Sequence, residues 1–147
     1  MDPLPLEVID LAHKVRIAVE ELANNLEPTW MIYKEDLAGM CAIASRALCT
    51  VLRSHGYRAK FVLAQYGLGS HCWVELDGWI IDITATQFES NYPPVHIVSI
   101  SLDDGPINDR YRLCERCNPK HVNESYWGIT APILYKKWML ELVNNLR

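Results

Sequence analysis

Residues 71–84 read HCWVELDGWIIDIT. The pair Asp77-Gly78 splits this stretch into two runs rich in Trp, Val and Ile. Asp-Gly between such runs is the signal of a two-residue hairpin turn, because both central residues must take positive φ. The stretch therefore predicts two antiparallel strands and fixes their register. Asp82 is expected opposite about Trp73, two residues from His71 and on the same face of the sheet. Diagonal neighbours across such a pair lie about 7–8 Å apart, within reach of an aspartate and an imidazole.

Working outward, YRAKFVLAQY (57–66) and VHIVSIS (95–101) read as further strands, with Gly67 and Gly69 as punctuation. Upstream, CAIASRALCTVLRSH (41–55) has no interior Gly or Pro and reads as a helix buried on most sides, with Gly56 as its C-terminal stop. Residues 4–25 carry Leu4, Val8, Leu11, Ala12, Val15, Val19 and Leu22 three or four apart. That is one apolar helical stripe, with Lys14, Arg16, Glu20 and Glu21 expected off it. Residues 27–40 have no clean period. Residues 102–130, with Asp-Asp-Gly-Pro and Asn-Pro, are expected to be mostly loop. APILYKKWMLELVNNLR (131–147) reads as a closing amphipathic helix with Ile133, Leu134, Trp138, Leu142 and Val143 inward. Helices followed by sequential strands predict an α+β fold with an antiparallel sheet. A chain of 147 residues suits one domain over 1–147.

The net charge of -4 and the dispersed Lys and Arg give no footprint for nucleic acid. No apolar run approaches the length that spans a bilayer, and the opening MDPLPLEVID lacks the basic region of a secretory signal. The expected location is cytoplasmic, where five cysteines, at 41, 49, 72, 114 and 117, are thiols, metal ligands or catalytic groups rather than a disulfide framework.

Cys41 falls where a glycine-containing loop enters a helix, and a helix N-terminus favours the thiolate, which is the nucleophile. Alone it reads as readily as a small core residue, as Cys49 does in mid-helix. His71 opens its strand at a sheet end, where it can reach a helix N-terminus and serve as base; otherwise it bonds a backbone carbonyl. Asp82, a carboxylate in the run Trp-Ile-Ile-Asp-Ile, needs a partner if buried, or else caps the following turn. The three together point to a Cys41–His71–Asp82 triad, with the Cys-bearing helix packed on the sheet that bears His and Asp.

GMCAIASRAL, GSHCWVELDG and WIIDITATQF resemble the transglutaminase-like superfamily of papain-fold cysteine enzymes, over about residues 36–100. By motif they are most similar to small bacterial transglutaminase-like proteins such as the leader peptidases of lasso-peptide biosynthesis. Arylamine N-acetyltransferases share the Cys, His, Asp order on a larger chain. The resemblance implies Cys41 as nucleophile, His71 as general base and acid, and Asp82 as orienting carboxylate. It further implies a thioester intermediate on a protein or peptide substrate and no cofactor. Cys72 departs from the small residue that relatives often carry after the histidine. The Cys41 backbone N–H is a candidate oxyanion donor. Gln65, Trp30 and Tyr33 are candidates for a second, and Trp73 for a cleft wall.

Two other readings stand beside this one. The fold could serve as a non-catalytic module that binds a protein or peptide. Cys114, Cys117 and His121 have part of the spacing of a zinc site but lack a second ligand pair, which favours free thiols. Gln87 and Phe88 are expected to fix the turn after the hairpin.

Overall fold

The computed structural model describes residues 2–25, 40–66, 69–88, 92–101, 111, 115–117, 137, 141, 142, 144 and 146, with the backbone alone at 65, 66, 69, 70 and 115–117. It is an α+β arrangement. Helix α1 is Leu6–Asn25 and helix α2 is Cys41–Ser54; strands are β1 Lys60–Tyr66, β2 Gly69–Leu76, β3 Trp79–Asp82, β4 His96–Ser99 and β5 Glu115–Cys117. The strands form one sheet in the order β4-β3-β2-β1-β5, each pair antiparallel.

The turn that decides the hairpin has Asp77 at φ 50 and Gly78 at φ 87, both left-handed as a type I′ turn requires. The register is the one such a turn imposes: Leu76 pairs with Trp79, Glu75 with Ile80 and Val74 with Ile81. One further step puts Asp82 across from Trp73. On its other side Asp82 pairs with His96 of β4.

Alternation along the strands sorts the side chains onto two faces. Leu63, Cys72, Val74, Leu76 and Ile81 join the apolar faces of both helices in the main core. Val62, Ala64, Trp73 and Ile80 point the other way and meet Tyr111. His71 and Asp82 share the parity of Trp73 and Ile80, so they belong to this second face. The stripe of α1 is buried as expected at Val8, Leu11, Ala12, Val15, Val19 and Leu22. Helix α2 ends as Gly56 dictates. Its φ is +90, the Gly56 N–H bonds the Arg53 carbonyl, and the Tyr57 N–H bonds that of Leu52, which is a Schellman closure.

Two expectations need correction. Arg16 lies not off the apolar stripe but within it, 5% exposed. Its guanidinium donates from Nη1 to the Ile83 carbonyl at 2.8 Å and to Thr86 Oγ1 at 3.0 Å, and from Nε to Glu20 at 2.6 Å. Those partners satisfy a charge that would otherwise be expelled from the core. Residues 115–117, expected as loop, form β5 and pair with Leu63–Gln65 of β1. Three residues carry too short a pattern to signal a strand, and the edge of β1 supplies the pairing. Leu142 is buried in a helical stretch as expected; Ile133, Leu134, Trp138 and Val143 lie outside the described residues.

Candidate functional site

Cys41 is the first residue of α2, preceded by Met40, whose side chain makes no capping bond. The partial positive charge of that helix end favours a thiolate at Cys41. Beyond that end stand His71 and Cys72, successive residues of β2. His71 belongs to the face away from the helices and Cys72 to the helix-facing core. Both stand close enough to the Cys41 thiol to shift its titration.

His71 is 3% exposed, and its Nε2 lies 2.6 Å from Asp82 Oδ2. Its Nδ1 lies 2.8 Å from Gln87 Nε2. Phe88 meets the ring edge-on at a centroid distance of 4.6 Å, and Trp73 lies 6.0 Å away, tilted. Trp73 is fully buried against Tyr111, with its indole N–H on Glu75, so it packs beneath His71 rather than forming a cleft wall.

Asp82 is completely buried and has acceptor contacts at both oxygens. Oδ2 takes His71 and the Tyr111 hydroxyl at 2.7 Å; Oδ1 takes the Thr84 N–H at 2.9 Å and the Thr84 hydroxyl at 3.4 Å. The two meanings open for Asp82 in the sequence, partner of His71 and cap of the following turn, are therefore both realised by one carboxylate. Behind it His96 of β4 stacks between Tyr92 and Tyr111.

This packing shifts the titrations. Burial alone would push the Asp82 carboxyl up, but His71, the Thr84 N–H and Tyr111 together hold it below the ordinary range. Burial likewise disfavours the His71 imidazolium; the Asp82 charge and hydrogen bond outweigh it, Cys41 adds to them, and the ring is pushed up to about 10. The Cys72 hydrogen bond is the largest influence lowering the Cys41 thiol, which falls well below its usual value despite burial, with His71 contributing next. Cys72 moves the opposite way, held protonated by its bond to Cys41 and by burial. Cys49, on the Ala59 carbonyl at 3.5 Å, is raised chiefly by burial and is a core thiol.

The structure thus brings Cys41, His71 and Asp82 together. Gln65 is a β1 residue whose backbone pairs with Ser70; its side chain, and Trp30 and Tyr33, lie outside what is described. The same holds for Cys114, His121 and the Cys117 side chain. Among the described residues no group of His, Cys, Asp and Glu could hold a metal ion, and no helix is long and apolar enough to cross a membrane. Sequence reasoning did not place Gln87, Thr84, Tyr111 or Cys72 in the site. For Gln87 and Thr84 a signal existed: they follow Asp82 in a tight turn, so they had to lie beside it. Comparison of the chain with models of known families, with curated proteins and with solved structures gives no match.

Proposed function

We propose that the protein is a cysteine-dependent amide hydrolase or acyl transferase of the papain-like, transglutaminase-like kind, acting on a protein or peptide. The observation that carries this reading is the 2.6 Å bond between His71 Nε2 and a buried, fully bonded Asp82, with Cys41 at the N-terminus of α2 close enough to shift the ring's titration. Asp82 occupies Nε2, and the proposal assigns the proton exchange with Cys41 to Nδ1, the nitrogen that Gln87 also faces. The carboxylate orients the ring and favours its charged form.

In the proposed reaction the Cys41 thiolate adds to the amide carbonyl carbon, and the oxyanion is met by the Cys41 backbone N–H at the start of α2. Collapse of the adduct breaks the C–N bond as the Nδ1 proton passes to the departing amine, leaving a thioester on Cys41 and a neutral imidazole. Nδ1 then takes a proton from water or an amine as that molecule's oxygen or nitrogen adds to the thioester carbonyl. The C–S bond breaks and the Cys41 thiolate departs, giving hydrolysis or deamidation with water and transamidation with an amine. Cys72 supports this reading from the opposite side: by donating to Cys41 it favours the thiolate while remaining a thiol itself.

The test is alkylation by iodoacetamide at pH 6, mapped by mass spectrometry. Cys41 is expected to react at least about tenfold faster than Cys49, because only the thiolate attacks. Equal labelling of the cysteines would refute the nucleophile. So would a peptide- or protein-directed activity that survives Cys41→Ala, which is the outcome of a non-catalytic binding module.

A further inference from the structure

Beyond the triad, the site contains a chain of hydrogen bonds whose directions determine one another. Asp82, held as a carboxylate, can only accept, so the Thr84 hydroxyl 3.4 Å from Oδ1 donates to it. That hydroxyl has then spent its proton and must accept from Gln87 at 3.3 Å. Only the NH2 end of the Gln87 amide can donate, and the same nitrogen lies 2.8 Å from His71 Nδ1. When the ring is neutral, the second hydrogen of that nitrogen therefore points at Nδ1, which presents a lone pair. In that form the ring's proton is on Nε2, where it donates to Asp82. The four contacts along Asp82, Thr84, Gln87 and His71 each have a donor facing an acceptor in this one arrangement.

On the proposed assignment Nδ1 is also the nitrogen that Cys41 uses. Gln87 and the thiol then compete for its lone pair. The amide hydrogen donated to that lone pair favours the unprotonated ring, against the Cys41 thiolate, which favours the protonated one. We propose that Gln87 is a positioning residue for His71, donating from its side-chain amide to Nδ1 and so restraining proton transfer from Cys41. The proposal rests on the reading of His71 as the base for Cys41. It gives the neutral imidazole left after the leaving amine departs a specific stabiliser, at the step where that ring must next act as a base.

The charged and titratable groups around the ring, among the described residues, come from every packed element. They are Asp82 from β3; Cys41 from α2, with Arg46 of the same helix acting on Cys72; Cys72 of the ring's own strand; His96 from β4 across Asp82; and Tyr111 on Asp82. Gln87 adds no charge to this set, so its effect on titration is a hydrogen-bond effect and separable from the rest.

The experiment is NMR titration of the His71 imidazole in the intact chain, in Gln87→Met and in Gln87→Glu, alongside the pH dependence of Cys41 alkylation. Met keeps the length without a donor. The ring is expected to titrate about half to one pH unit higher, a two- to tenfold change, the range that one hydrogen bond supplies. The acid limb of alkylation should move to lower pH by a similar amount. Glu, an acceptor against Nδ1, should raise the ring further than Met. Unmoved titration in both variants, as a packing role alone would give, overturns the proposal, as does a downward shift. If Gln87→Met does not fold, Gln87→Glu and the unaltered protein decide. Above its titration midpoint the unaltered ring must carry its hydrogen on Nε2; a hydrogen on Nδ1 refutes the arrangement. The imidazole readout needs no activity, so unselective alkylation of Cys41 would sink the proposed function while leaving the Gln87 result legible.

Discussion

Asp82→Asn changes one atom and tests the centre of the site. The Thr84 backbone N–H can only donate, so the asparagine must keep its oxygen at the Oδ1 position, 2.9 Å away. Its NH2 then replaces Oδ2, facing His71 Nε2 at 2.6 Å and the Tyr111 hydroxyl at 2.7 Å. Tyr111 can turn its proton away and accept. His71 can do so only by moving its proton to Nδ1, which sets an N–H against the Gln87 NH2 and removes the lone pair Cys41 needs. Two charge-assisted bonds, each worth about 1.5–3 kcal/mol, are lost, and relief from burying a charge returns part of that. We expect a net destabilisation of about 2–4 kcal/mol at pH 7, read by urea denaturation followed by circular dichroism. On the proposed assignment, Cys41 alkylation at pH 6 should slow by at least about tenfold, and any amide-directed activity by as much as about 10⁴-fold, the effect of a wrong tautomer in a serine triad. A variant within about 0.5 kcal/mol of the parent, with alkylation within twofold, would refute the reasoning.

Two further outcomes follow from the same contacts. Arg16→Met retains the apolar stem in α1 but removes the guanidinium donor from the Ile83 carbonyl and from Thr86, so unfolding in urea should show a loss of about 2–4 kcal/mol; a loss below about 1 kcal/mol would mean that this guanidinium does not clamp the turn after β3. Stability should also follow pH in a defined way. Asp82 is depressed in the folded chain, so its contribution is present above about pH 3.9 and lost below it. His71 is raised to about 10, so its contribution is complete below about pH 6.5 and lost as pH climbs through 10. Cys41 is lowered, so its contribution grows as pH rises toward the unfolded thiol value near 8.5. Between about 6.5 and 8.5 the last two cancel, and a plateau is expected, falling away on both sides. In Cys41→Ala the decline should begin near pH 6.5 instead. Denaturation midpoints measured from pH 4 to 10 check both curves, and identical alkaline limbs would contradict the coupling.

Local rules made much of this protein legible before any coordinates. A two-residue Asp-Gly loop requires positive φ and imposes one register, so the side of the sheet shared by His71 and Asp82 followed from residues 71–84 alone. The 3.6-residue period did the same for the buried stripe of α1, and Gly56 for the end of α2. These signals act over a few residues, where backbone sterics and burial leave few choices.

Contacts between distant residues were decided only by packing. Arg16 meets Ile83 across 67 positions and Tyr111 meets Asp82 across 29, and no periodicity in either segment encodes the pairing. A buried arginine in an apolar stripe looks, in sequence, like an exposed one until its acceptors are known. β5 exists because β1 offers it a free edge, not because three residues announce a strand. Cys72 presents the same contrast: the alternation of β2 sends it to the core, while the fold brings it close enough to Cys41 at the start of α2 for the two thiols to shift each other's titration in opposite directions. The sequence by itself determined which residues could be reactive and which face they share; the tertiary structure decided which neighbours set their protons, because those neighbours come from elements that only the folded core brings together.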